Sequence, residues 1–441
     1  MSPGDRISLP PIRRETLPNG LRVIVAERSG VPLVAVRLVL RGGSSLDPRG
    51  RSGLAHLAAL AARRGTRRWS GPEIDLAVES LGAELGAGVD EDATYFGLSA
   101  PAEHLARCLD VLADVAIAPT FPPAEVQRLR RREIASLAHD LDEPALVADR
   151  AMLQAAFGDH PYGHPPEGRA RELAASRRSD LGRLHGSAYV PASAFVVVVG
   201  KVGADQALAE VQRRFGRWRA RGPAPAPVGR PAPPRTSVVV VDKPDVTQTQ
   251  VRIASAGFPR KNPDHFPGIV ASALLGGGFT SRLMEAIRVN RGLSYGVRSR
   301  FATSAAGGIF YVSTFTKVET TAEIVQVTLD ETRRFCDEGP RPDELERTRA
   351  YLCGLFPLSL ETHDQLAEKL ADLALYDLPD DEVSGFRDRV RAVDAAAVRG
   401  VARRYFPLDG RVVVAVGPAK AIARQLEPFG PVTVVPARKL A

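Results

Sequence analysis

Cysteine, methionine, tryptophan and lysine are all scarce in this chain of 441 residues, and each scarcity excludes something. Cys108, Cys336 and Cys353 stand far apart, and an odd, scattered set is neither a disulfide framework nor a zinc ribbon. No apolar run is long enough to span a bilayer, and the opening residues lack the apolar stretch of a secretory signal, so the expectation is a cytoplasmic chain, with a periplasmic one the alternative had a leader been trimmed. Lysine occurs only seven times, so the formal net charge of +8 comes from arginine. Short clusters at Arg63, Arg64, Arg67, Arg68 and at Arg128, Arg130, Arg131, Arg132 accompany no nucleic-acid motif, and they read as solvated helix faces with no nucleic-acid partner.

What is abundant organises the chain. Between Arg219 and Arg235 proline and alanine alternate, which suits neither a helix nor a central strand and predicts an extended, semi-rigid linker. The chain divides there into residues 1–220, a linker 221–235, and residues 236–441. The two parts resemble each other. Tyr189, Val190 and Pro191 precede the β-branched run Phe195–Gly200, and Tyr405, Phe406 and Pro407 precede Arg411–Gly417. Each half also opens with strands, Leu21–Ala26 and Leu33–Leu40 in the first, Ser237–Val241 and Gln248–Ser255 in the second. Weak alternation in Val34–Leu40 predicts burial on both faces. Strands early, helices next and a closing strand describe a duplicated α+β unit, each a sheet packed by helices.

Several short motifs now fall in one order: Leu17-Pro18-Asn19-Gly20-Leu21, Arg41-Gly42-Gly43-Ser44, Gly53-Leu54-Ala55-His56, Gly65-Thr66, and Phe157-Gly158-Asp159-His160-Pro161-Tyr162-Gly163. Together they resemble the M16 (pitrilysin-like, inverzincin) peptidases over nearly the whole chain. The resemblance implies two homologous α/β-roll domains of the mitochondrial processing peptidase type. Active members of that family carry His-x-x-Glu-His after the Gly-Leu-Ala. Two imidazoles four residues apart share a helical face and grip Zn²⁺, and the glutamate takes a proton from the metal-bound water. A later glutamate is the third ligand.

Here that run is His56-Leu57-Ala58-Ala59-Leu60. Only the first histidine stands; Ala59 replaces the base and Leu60 the second ligand. Counting back from Pro144 puts the third ligand at Ser136. A catalytic zinc needs three protein ligands and an open position, so none is expected here. His160 and His164 are separated by Pro161 and Gly163, which forbid the helix that would align them, and His139 with Asp140, Asp142 and Glu143 reads as a solvated helix end.

The second half keeps more of the pattern. Gly276-Gly277-Gly278-Phe279-Thr280-Ser281-Arg282-Leu283 predicts a helix capped by Thr280 or Ser281, running to about Arg291 and ended by Gly292. Glycines without a following Gly-Lys-Ser/Thr do not make a nucleotide site. The resemblance implies that Arg288 and Tyr295, seven residues apart, hold the backbone of an extended peptide substrate near its scissile carbonyl. A chain without the zinc motif but with this pair is expected to be a non-catalytic, peptide-holding subunit, inactive alone and paired with a zinc-bearing homologue. The alternatives are a scaffold or peptide-binding protein outside proteolysis, and an autonomous peptidase with an altered metal site.

Overall fold

The computed structural model describes residues 7–220 and 222–440. The opening Met1–Arg6, Arg221 at the start of the expected linker, and Ala441 lie outside the described residues. Two compact units are present. Of the described residues, one comprises 7–135, 165–220, 222–228 and Phe356–Gly385; the other comprises Ser136–His164, Gly229–Leu355 and 386–440. Each unit therefore includes a segment drawn from the opposite half of the sequence.

The first unit is built on a six-stranded sheet: β1 (Ile12–Thr16), β2 (Arg22–Glu27), β3 (Leu33–Arg41), β4 (Glu84–Val89), β5 (Ala93–Pro101) and β6 (Ala194–Gly200), in the spatial order β1-β2-β6-β3-β5-β4. Only β2 and β6 run parallel, with Val25 opposite Val198; the other pairs are antiparallel. The second unit repeats this with β7 (Ser237–Asp242), β8 (Gln248–Ala256), β9 (Val297–Thr303), β10 (Gly308–Lys317), β11 (Val412–Gly417) and β12 (Val432–Pro436), in the order β12-β7-β11-β8-β10-β9. The run β2-β6-β3-β5-β4 has the same strand order and directions as β7-β11-β8-β10-β9, so the duplication read in the sequence is one of topology. The copies differ at one edge, where β1 is antiparallel to β2 but β12 is parallel to β7.

Long β-branched runs occupy the centres. Every residue of β6 and of β11 is buried, and β3 is buried along both faces except at its ends and Arg37. Such strands cannot face water, so each sheet is covered on two sides. In the first unit the helix His363–Leu375 lays Leu366, Ala367, Leu370 and Leu373 on Val39, Phe195, Val197 and Val199. In the second, the helix Pro144–Phe157 lays Val147, Ala148, Ala151 and Met152 on Ala254, Val412, Val414 and Val416. Its opposite face carries Val240, Ile253, Phe310 and Val413 beneath the helices His265–Gly276, Thr321–Glu338 and Ala395–Tyr405. Each buried leucine or valine contributes about 1.5–3 kcal/mol. This makes the sheet centres the stable platform from which edges and loops project.

Residues 222–235 form neither helix nor strand. They are not a free spacer: Gly229 accepts a hydrogen bond from His160 Nε2 at 2.9 Å, and a Cβ on Gly307 would fall 2.7 Å from Pro231.

Candidate functional site

The helix Leu54–Ala62 is made of alanine and leucine around His56 and has no β-branched residue, which favours helix strongly. Gly53, at φ +85°, turns the chain into it, and Asp47 caps its first turn by accepting 2.7 Å hydrogen bonds from the N–H groups of Gly53 and Ala55. Burial pushes the Asp47 carboxyl up to about 7, despite those hydrogen bonds.

His56 and Leu60 lie four residues apart on one half-buried face, while Ala59 is fully buried. The group opposite His56 is Glu133, whose Oε2 lies 3.2 Å from His56 Nε2. Glu133 sits on the helix Pro123–His139, one turn before Ser136, which is exposed. The hydrogen bond with His56, and then that from Arg132, hold the Glu133 carboxyl below its ordinary value against the effect of burial. The donor set is thus one imidazole and one carboxylate already engaged by a guanidinium. It does not fit the three ligands and open position a catalytic zinc requires. Among the described residues no group of three His, Cys, Asp or Glu side chains could hold a metal ion. Nor is there a base where Ala59 stands. Glu133 was not singled out from the sequence; its only signal was its place one helical turn before Ser136.

Two other histidines singled out in the sequence, His160 and His139, have local partners. His160 Nδ1 accepts from the N–H of Tyr162 at 3.1 Å across the turn Pro161–Gly163, and Tyr162 is buried. His139 is exposed, 3.5 Å from Asp142.

In the second unit the glycines after the helix His265–Gly276 serve packing. A Cβ on Gly276 would lie 2.8 Å from the backbone nitrogen and Oγ of Ser299 in β9, and one on Gly277 would lie 2.5 Å from the Ala273 Cα. The helix expected over 280–291 takes a different form. After two α-helical residues, Arg282 and Leu283, Met284–Val289 is π-helical, and the Asn290 backbone N–H donates to Glu285 O at 2.9 Å. Ser281 does not cap it, because its hydroxyl turns back to donate to Gly278 O at 2.6 Å. Gly292, at φ +60°, ends the segment as expected, and β9 begins at Val297. The wider turn re-aims the side chains that follow it, as π-segments commonly do at functional sites.

Arg288 and Tyr295 are brought together by this segment. The guanidinium carbon of Arg288 lies 4.3 Å from the centroid of the Tyr295 ring and 5.4 Å from that of Phe279. Phe279 is 77% exposed and Tyr295 76% exposed. Six residues before Arg288, Arg282 is buried and paired with Glu344 by two hydrogen bonds of 3.2 and 2.9 Å. Arg282 is therefore structural, whereas the Phe279, Arg288 and Tyr295 side chains face outward.

A cavity of about 610 Å³ in the first unit had no counterpart in the sequence reading. Gly86, Gly88 and Gly97 of β4 and β5 form its floor, and Asp364, Glu368 and Asp372 form a stripe along the covering helix. Glu84 and Asp90 add two carboxylates against the one cation, Arg37, which Asp364 pairs at 2.7 Å. Burial, and then the neighbouring Glu91, push Asp90 up to about 7. The spacing of the acids was visible at 364, 368 and 372; the glycine floor beneath them was not.

A duplicated, helix-covered mixed sheet defines a chain of two α/β domains, and the pair His56 and Glu133 does not suit a catalytic zinc. Residues 22–168 match the family described as insulinase (peptidase family M16), and residues 177–352 match the peptidase M16 inactive domain. The chain belongs to the M16 peptidase family. It is similar to an uncharacterized zinc protease, YmxG, of Bacillus subtilis (strain 168), 24% identical over 401 residues covering 90% of this chain and 96% of that one. It is also similar to the mitochondrial-processing peptidase subunit beta of Bos taurus, 24% identical over 429 residues, with 94% and 86% covered. A crystal structure of a peptidase M16 inactive domain from Pseudomonas fluorescens superposes with a TM-score of 0.88 at 26% identity, over 92% of this chain and 98% of that one. No helix among the described residues is long and apolar enough to cross a membrane.

Proposed function

We propose that this chain is a non-catalytic, substrate-binding subunit of a heteromeric M16-type zinc metallopeptidase. The observation that carries the reading is the state of the helix Leu54–Ala62. It is capped by Asp47, yet offers a metal only His56 beside Glu133, with Ala59 where the resemblance implies a base. The chain therefore cleaves nothing alone. Zinc and the activated water belong to a homologue that carries an intact motif. An outward-facing Arg288 and Tyr295 support the binding role, since a guanidinium and a phenol position peptide carbonyls without a metal. The edge strand β9 begins two residues after Tyr295 and has one unpaired side, so an extended peptide can add to it as a strand while the pair holds its backbone. The relative from Bos taurus is itself named as a subunit, which is consistent with a shared task.

The test is to recover the chain from its native host and identify what comes with it. A homologue of similar size with intact His-x-x-Glu-His, in near-equal amount, supports the split peptidase. Peptidase activity should then require both chains and should fall in Arg288→Ala and Tyr295→Phe with assembly intact. Loss of assembly alone would favour a scaffold. Hydrolysis by the purified chain alone, abolished by a chelator, would overturn the reading.

A further inference from the structure

Three arginines lie close together in the segment that carries the binding pair, and two are satisfied from within the chain. Arg282 has its fork filled by Glu344 and the Gly339 carbonyl, and Arg291 donates to Ala286 O at 2.9 Å. Of the three side chains, the Arg288 guanidinium alone makes no hydrogen bond or ion pair among the described residues, although its backbone carbonyl accepts from the Gly292 N–H at 3.1 Å. Glu285, one turn earlier and exposed, does not engage it. Its guanidinium instead meets the rings of Phe279 and Tyr295. Aromatic rings take up the flat faces of a guanidinium and leave the N–H groups in its plane free. Two parallel N–H groups at that edge match the two oxygens of a carboxylate better than the single oxygen of a carbonyl. The rings also displace water from the faces, which strengthens a charge-assisted hydrogen bond at the edge.

We infer that Phe279, Arg288 and Tyr295 form an aromatic-walled clamp that takes a carboxylate of an extended peptide, with Phe279 as a third binding residue. This rests on the peptide-binding reading above; it makes a carboxylate rather than a carbonyl the partner of Arg288, and it adds Phe279 from the glycine-led run before the pair. The clamp holds Arg288 with its fork outward, so the bound peptide is anchored through an acidic side chain or a free C-terminus. The rest of its backbone lies along the edge of β9.

The experiment uses the full chain immobilised for surface plasmon resonance. The probes are four N-acetylated decapeptides, otherwise uncharged: free acid and amide at the C-terminus, each with Glu or Gln at the centre. Carboxylate-bearing forms should bind about tenfold tighter than the fully neutral one, with the advantage shrinking as salt rises. The two single-carboxylate peptides tell a side-chain anchor from a terminal one. The preference should vanish in Arg288→Gln, fall in Arg288→Lys, which keeps the charge but loses the fork, and fall in Phe279→Ala. Neither Arg288 nor Phe279 is buried, and thermal midpoints equal to the wild type confirm that the variants are folded. Equal affinity for all four peptides overturns the clamp and leaves the peptide-binding reading standing, as does a preference that survives Arg288→Gln. Failure of the wild type to bind any of the four at millimolar concentration overturns both.

Discussion

Replacing Glu344 by glutamine should destabilise the second unit and loosen the segment that presents Arg288. Glu344 accepts from Arg282 Nε at 3.2 Å and Nη2 at 2.9 Å, from the Arg341 backbone N–H at 2.9 Å and from the Arg341 guanidinium at 2.8 Å. The side chains of Arg282 and Glu344 are only 8% and 6% exposed, and Arg282 also packs on the Phe335 ring at 5.0 Å. Arg341 is largely exposed, so its share is small. Breaking one side of such a buried pair leaves the guanidinium only the exposed Glu338, at 3.9 Å, as an ion-pair partner, and costs about 3 kcal/mol. For a body of roughly 200 residues that lowers Tm by about 6–12 °C. Arg282→Met with Glu344→Leu removes both charges and should recover most of the loss. Calorimetry of the wild type, both single variants and the double closes the cycle. A loss below about 1 kcal/mol in Glu344→Gln, or a double variant as unstable as the sum of the singles, would refute the argument that a desolvated charge sets the cost.

Three further outcomes are expected. Leu60→His adds a third ligand on the face shared by His56 and Glu133, so dialysis against zinc should leave one ion per chain in the variant and none in the wild type; equal uptake by the two would contradict the ligand count. Because His56 and Arg132 hold Glu133 below the ordinary 4.5, the stability it contributes is complete above that pH and disappears as pH falls through the folded value. The urea midpoints of wild type and Glu133→Gln should therefore differ at pH 7 and converge in acid, and a constant gap would show that the pair is not the source. Gly276→Ala presses a methyl group on the Ser299 backbone and should cost about 1–3 kcal/mol; an unchanged Tm would mean that β9 yields freely.

Much of the scaffold could be read from local pattern. The runs that became β2, β3, β6, β7, β8 and β11 are β-branched, and their observed ends differ by a residue or two from those expected. What failed was local as well. Residues 282–291 have ordinary helical composition, but the backbone takes a π-helical path over Met284–Val289, and Ser281 turned its hydroxyl to Gly278. Helical periodicity cannot distinguish these forms, because the choice between i−4 and i−5 partners depends on how the segment is seated.

The sequence by itself determined that the chain is a duplicated α+β protein, that Ala59, Leu60 and Ser136 stand where the resemblance implies a base and two metal ligands, and that an arginine and a tyrosine stand seven apart after a glycine run. These are matters of residue identity and short-range period, which a single strand or helix expresses alone. The tertiary structure decided the rest. It set Glu133 against His56 across 77 positions, stacked Phe279 and Tyr295 on Arg288, filled the fork of Arg282 from a helix 62 residues on, and covered each sheet with a helix from the opposite half of the sequence. Contacts of that kind depend on which buried faces find one another once the chain has collapsed, and no local preference encodes them.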